Sequence, residues 1–80
     1  MQEKILAMLQ EINPYVDIDE TTQLLVEILD SMELLLLITQ LEETYHIEIP
    51  LESIQVEDFE TVSSIVAFTE KTIFQQKNQE

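Results

Sequence analysis

Residues 30–45, DSMELLLLITQLEETY, place the tightest constraint on how this chain folds. At 3.6 residues per turn, Leu34, Leu37, Ile38, Leu41 and Tyr45 fall on one stripe. That stripe is wide enough to face a core. Four consecutive leucines cannot all face the same way, however. Leu35 is left on the flank, and Leu36 sits near the centre of the opposite face with Met32, Thr39 and Glu43. Spare apolar surface rimmed by acids has the character of a docking face. Ser31 stands where the helix should begin, and serine is a good N-cap type because its hydroxyl can accept from an unpaired first-turn amide.

The remaining segments arrange themselves around this helix. Ile5, Leu6, Leu9 and Ile12 form the stripe of a helix from about Gln2 to Ile12, which Asn13-Pro14 ends. Pro14 to Glu20 reads as loop. Leu24, Leu25, Ile28 and Leu29 have helical spacing, so Thr22 to Leu29 either fuses with the next helix, leaving Ser31 mid-helix, or forms an irregular, briefly helical connection. The second reading is preferred. A connection from Asn13 to Asp30 is longer than most, which points to function or to hidden local structure. After Tyr45 the period changes. In His46-Ile47-Glu48-Ile49-Pro50 the two isoleucines can tuck inward, and Pro50 forbids continued helix. His46 at the helix end is read as part of the helix stop. Leu51 to Val56 is expected as a short helix with Leu51, Ile54 and Val56 inward, broken by Glu57-Asp58. Thr61 is a candidate N-cap for a last helix towards Gln76, with Val62, Ile65, Val66, Thr69 and Ile73 as its stripe, Phe59 ahead of it and Phe68 on its flank. The polar stretch 75–80 is expected to fray. The predicted architecture is all-α: one domain over residues 1–80, a small bundle of three main helices and one short one.

Charge limits what such a bundle can meet. The chain of 80 residues has 17 acids against 3 bases, a formal charge of −14. All three lysines, Lys4, Lys71 and Lys77, lie near the termini, while every acid except Glu3 and Glu80 lies between them in residues 5–70. Phosphate backbones and anionic lipid repel such a surface, so neither nucleic acid nor a membrane is expected as a ligand; basic protein surfaces are. Hydrophobic residues at 45% are too many for a disordered acidic tail. The start MQEKILAMLQ has no signal-peptide character, and the run Leu34 to Ile38 is far too short to span a bilayer. A cytoplasmic monomer is expected.

No catalytic constellation is visible. The chain has one histidine, no cysteine and no glycine, which removes phosphate-cradling loops and the usual nucleophile–base pairs. Asp17, Asp19 and Glu20 resemble the start of a calcium loop. The mid-loop glycine and the closing glutamate are missing, and Ile28 stands in the latter's place. Neither an enzyme nor a metal site is expected.

Asp30-Ser31-Met32 before the leucine-rich helix, Leu41-Glu42-Glu43 with Tyr45, and Ile47-Glu48-Ile49-Pro50 together resemble the acyl, peptidyl and aminoacyl carrier proteins. Those proteins carry an Asp-Ser-Leu signature opening the second helix, which commonly ends in Leu-Glu-Glu-x-Phe-Gly-Ile-Glu-Ile-Pro. Asp58-Phe59-Glu60-Thr61-Val62 with Ile65 is similar to the start of the family's last helix. The likeness spans roughly residues 1–75. An isolated Asp-Ser would be weak evidence; the whole set at this spacing is strong. The resemblance implies an acyl-carrier-like four-helix bundle with no enzymatic activity of its own, standing alone as a shuttle. It implies 4′-phosphopantetheine, donated from coenzyme A by a phosphopantetheinyl transferase onto Ser31, and an acyl or aminoacyl cargo held as a thioester for biosynthetic enzymes with basic docking surfaces. Asp30, Met32, Glu33, Leu35, Leu36, Thr39 and Glu43 would form the docking face.

This chain also departs from the family pattern. Met32 replaces the usual leucine, a volume-conserving change. Glu27 stands where many members have glycine, and His46 replaces a helix-terminating glycine. Leu36 stands where many fatty-acid carriers have an acid, which bears on the choice of partner enzymes. Leu-Asp-Ser-Met is also similar to D-alanyl carriers, whose later tryptophan-containing stretch is missing. Two other classes compete with a carrier: an acidic helical module that docks a basic partner without a cofactor, and a calcium-responsive protein.

Acids packed this densely repel one another in the folded state. Added salt should therefore raise the melting temperature by screening that repulsion. A thermal unfolding series between low and moderate ionic strength checks this, and a flat melting temperature would show that the acids are too dispersed to matter.

Overall fold

A computed structural model describes residues 1–19 and 21–77. Three long helices form the frame: α1 (Gln2–Ile12), α3 (Ser31–Tyr45) and α4 (Val62–Lys77). Between α1 and α3 lies α2, a single turn over Leu24–Glu27, and between α3 and α4 lie two 3₁₀ turns, Leu51–Ser53 and Val56–Phe59. Among the described residues the fold is all-helical, as the periodicity predicts. α1 packs against both α3 and α4, and the second 3₁₀ turn packs against α4.

The stripes meet where expected. Ile5 and Leu9 of α1, Leu37, Ile38 and Leu41 of α3, and Val62 and Ile65 of α4 are buried in one core. Met8, absent from the expected stripe, joins them, while Leu6 and Ile12 are half-buried at its edge. Leu34 and Tyr45 likewise border the core of α3. Phe59 is fully buried, its ring tilted against Phe68 with centroids 5.3 Å apart. Thr69 is buried too, and its Oγ1 has no hydrogen-bond partner among the described residues; the same holds for Tyr45 Oη. Burial pushes the Tyr45 hydroxyl's pKa up, since the charged form loses its water.

The connection before α3 has local structure of its own. Asp19 Oδ1 accepts from the Thr21 hydroxyl and amide and from the Thr22 hydroxyl, at 2.8, 2.8 and 3.2 Å. These bonds hold the Asp19 carboxyl below its usual pKa, the Thr21 hydroxyl contributing most. Asp19 thus closes a local turn. Glu20, the third acid of the calcium-like run, lies outside the described residues. Glu27 reaches back from α2 to accept from the Gln23 amide at 2.8 Å, and the Leu24 amide bonds the Glu60 carbonyl at 2.8 Å. α2 is thereby tied to the turn before α4. The amides of Ile28 and Leu29 both donate to the Leu24 carbonyl, which ends α2 and separates it from α3.

At the far end of α3, His46 adopts the left-handed conformation (φ 55°, ψ 50°), a region non-glycine residues seldom enter. The Glu42 carbonyl accepts from the amides of both His46 and Ile47, closing the helix as the histidine reading expects. Ile47 and Ile49 then turn inward, also as expected. The Glu42 carboxylate accepts from the Ile49 amide at 2.8 Å. Gln76 of α4 grips Glu48 at both backbone groups, accepting from its amide at 3.0 Å and donating to its carbonyl at 2.7 Å. α4 therefore stays helical and anchored through Gln76, within the stretch expected to fray; residues 78–80 lie outside the described part.

One packing expectation fails. Leu51 and Val56, read as inward, are 57% and 66% exposed, and only Ile54 borders the core. The cause is the type of turn. Two separate 3₁₀ turns have three residues per turn, so the helical spacing used to place Leu51, Ile54 and Val56 does not apply. Glu57-Asp58 does not break the structure either; Asp58 caps the second turn by accepting from the Gln55 amide at 3.1 Å. Thr61 does cap α4, its hydroxyl accepting from the Ser64 amide at 3.2 Å.

The phase of α3 is directly testable. Leu37 is fully buried and Leu36 is 51% exposed. Leu37→Ala should cost about 2–5 kcal/mol, a large share of the ~5–15 kcal/mol that holds a small domain together. Leu36→Ala should leave the melting temperature almost unchanged. Thermal or urea unfolding of the two variants decides it, and the reverse order would mean the helix is turned the other way.

Candidate functional site

α3 begins one residue earlier in its capping than the sequence alone indicates. Ser31 is not the N-cap. Asp30 is, with extended backbone (φ −91°, ψ −176°), and Ser31 is the first helical residue. Asp30 Oδ1 accepts from the Glu33 amide at 2.8 Å, and Glu33 Oε1 accepts from the Asp30 amide at 3.1 Å. Together they form a reciprocal capping box. Both residues are good N-cap types, so residue type does not choose between them. The third position beyond the cap chooses. For Asp30 that position is Glu33, which can reciprocate; for Ser31 it would be Leu34, which cannot.

The box leaves Ser31 with nothing to do for the fold. Its side chain is exposed and makes no hydrogen bond within the described residues. The first intrahelical bond runs from the Leu34 amide to the Asp30 carbonyl, so the amides of Ser31 and Met32 also lack partners there. An unpaired hydroxyl and two unpaired amides thus share the positive end of a helix of 15 residues.

Ser31 also borders a cleft of about 390 Å³, lined by Leu25 of α2, by Leu34, Leu35 and Ile38 of α3, and by Leu51, Ile54, Gln55, Val56 and Phe59 from the 3₁₀ turns. Apart from Ser31 and Gln55, these linings are apolar. The misplaced Leu51 and Val56 therefore have a location: they form the outer wall of this cleft. Nothing in their spacing could have placed them there, because the wall comes from the fold-back of the 3₁₀ segment onto α2 and α3. A second, more polar cleft of about 650 Å³ runs along α4 beside Lys71 and is not bordered by Ser31.

The other residues singled out in the sequence are all on α3 or its cap. Met32, Leu35 and Leu36 are 70%, 46% and 51% exposed, and Thr39 and Glu43 are exposed beside them. The Thr39 hydroxyl turns back to donate to the Leu35 carbonyl at 2.9 Å, so it offers its methyl group more readily than its donor. Asp30 and Glu33 each have one carboxylate oxygen bound within the cap.

The chain matches the phosphopantetheine attachment site family across residues 3–69. No curated protein and no solved structure matches it significantly. The match covers most of the chain, from the first turn of α1 through α3 and into the first half of α4, and the chain belongs to this family of 4′-phosphopantetheine-bearing carrier domains. The residues around Ser31 fit such a group. A phosphodiester needs a reachable hydroxyl and tolerates best a place where free amides and a helix dipole favour an anion. No described helix is long and apolar enough to cross a membrane.

Proposed function

We propose that this chain is a carrier domain whose 4′-phosphopantetheine arm is attached through Ser31, and that it presents an acyl or aminoacyl group to successive biosynthetic enzymes. The observation that carries this reading is the state of Ser31: the exposed first residue of α3, with a hydroxyl that no hydrogen bond among the described residues occupies. In a phosphopantetheinyl transferase, Ser31 Oγ forms a new P–O bond to the pyrophosphate of coenzyme A. The bond between the two phosphorus centres' bridging oxygen and the attacked phosphorus breaks, adenosine bisphosphate leaves, and the hydroxyl proton passes to a base of the transferase. No base is required beside Ser31 in this chain. The prosthetic group supplies a terminal thiol, which a chain without cysteine lacks. The protein's own part is to hold Ser31 accessible and to be found by partners.

Being found rests on α3. Met32, Leu35, Leu36 and Thr39 make an apolar face with Glu43 at its edge, within the field of the acids between residues 5 and 70. Charge at that density speeds encounter with basic surfaces, while the apolar side chains hold the partner once it is docked. Screened pairs give brief complexes, which suits a carrier that must leave each enzyme. The domain then performs no chemistry itself and acts where its enzymes act, in the cytoplasm.

Two outcomes follow. Incubated with coenzyme A and a broad-specificity phosphopantetheinyl transferase, the protein should gain one phosphopantetheine at Ser31 by peptide mass spectrometry. Ser31→Ala should stay folded, within about 0.5 kcal/mol of wild type, and remain unmodified. Wild type left unmodified by several transferases would instead favour an acidic docking module without a cofactor. In stopped-flow binding to a transferase, Leu36→Ala should speed dissociation, whereas Glu43→Lys should slow association and flatten its salt dependence.

A further inference from the structure

Asp30 and Ser31 are adjacent residues that both rank among the best N-caps. A helix starting at this point can take either as its cap, one residue apart. If Ser31 took that role, its Oγ would accept from the Leu34 amide and its backbone would become extended. The nucleophile would then be tied to its own helix, and the Ser31 side chain would swing with the changed backbone. In the structure the Leu34 amide goes instead to the Asp30 carbonyl at 2.9 Å, and the Asp30 side chain takes the Glu33 amide at 2.8 Å. Glu33 completes the choice by accepting from the Asp30 amide at 3.1 Å.

We propose that the Asp30–Glu33 capping box is a register lock, which assigns the N-cap to Asp30 and so keeps the Ser31 hydroxyl free for phosphopantetheine transfer. The proposal rests on attachment at Ser31. It makes Asp30 and Glu33 positioning residues, which act through the backbone of Ser31. Their charges also belong to the docking face, and that role is separate from the lock. What matters is that each side chain presents an acceptor oxygen to the other's amide. Asparagine and glutamine keep those acceptors and discard the charge.

The test compares Asp30→Asn, the double variant Asp30→Asn with Glu33→Gln, Asp30→Ser and Asp30→Ala as substrates of one phosphopantetheinyl transferase, with wild type alongside. The capping variants, Asn, Asn/Gln and Ser, lose docking charge and should raise KM, but each retains an N-cap acceptor at position 30 and should keep a kcat well above that of Asp30→Ala. Against Asp30→Asn, which has lost the same charge, Asp30→Ala should lose roughly tenfold in kcat, the cost of a displaced reacting group, with KM changed much less. Ser31 carbon chemical shifts should move from helical to extended values in Asp30→Ala alone. If Asp30→Asn is folded yet as slow as Asp30→Ala, the carboxylate charge is what counts and the lock is wrong. If Asp30→Ala keeps both kcat and a helical Ser31, the box holds no register and the proposal also fails. Wild type unmodified at Ser31 would overturn the attachment reading itself, a result the variant comparison cannot imitate.

Discussion

A helix can turn only one side towards a core, and α3 carries more leucine than one side can hold. Leu37, Ile38 and Leu41 are buried in the core that α3 shares with α1 and α4, and their burial fixes the rotation of α3 about its axis. Everything distinctive about the surface follows from that rotation. Met32, Leu35 and Leu36 are pushed out because Leu37 and Ile38 are in. The same rotation leaves Ser31 exposed and brings Leu34, Leu35 and Ile38 to the edge of one cleft with it. A helix rotated by half a turn would bury Leu36 and carry the serine to the wrong place.

The two ends of α3 are held by different means. At the start, a reciprocal pair of side-chain bonds sets the first residue of the helix, independently of the rest of the fold. At the finish, a left-handed His46 closes the helix, and the chain is then gripped from outside by Glu42 and by Gln76 of α4. The start is thus a local device and the finish a tertiary one. This difference suits a carrier domain. On the proposed attachment at Ser31, that end must face a transferase and later enzymes with its geometry already set, while the opposite end serves to bind α3 to α4.

Membership of the phosphopantetheine attachment family accounts for a combination that is otherwise hard to place. The chain has a surface suited to meeting proteins and, at the start of α3, an exposed serine whose side chain makes no hydrogen bond among the described residues. Here its neighbour Asp30 does the capping, which leaves the Ser31 hydroxyl available for the proposed attachment.

The helices and their inward faces were legible in the sequence because a 3.6-residue period is a local property, repeated often enough in 30–45 and 61–76 to override noise. The rotation of α3 could be read in this way, while the stop at His46, the inward turn of Ile47 and Ile49 and the Thr61 cap were legible from residue type and the change of period after Tyr45. The cap is a different case: Asp and Ser are equivalent by type, and only Glu33, three residues after Asp30, tells them apart, a local signal that residue type at the cap does not carry. The outward position of Leu51 and Val56 was hidden. In short 3₁₀ turns no periodicity accumulates, so their direction is set by how the segment folds back on α2 and α3. Sequence by itself determined which residues are helical and which face of each long helix is apolar. Only the tertiary structure decided what walls stand beside Ser31, because they are brought there by segments that are distant in the chain.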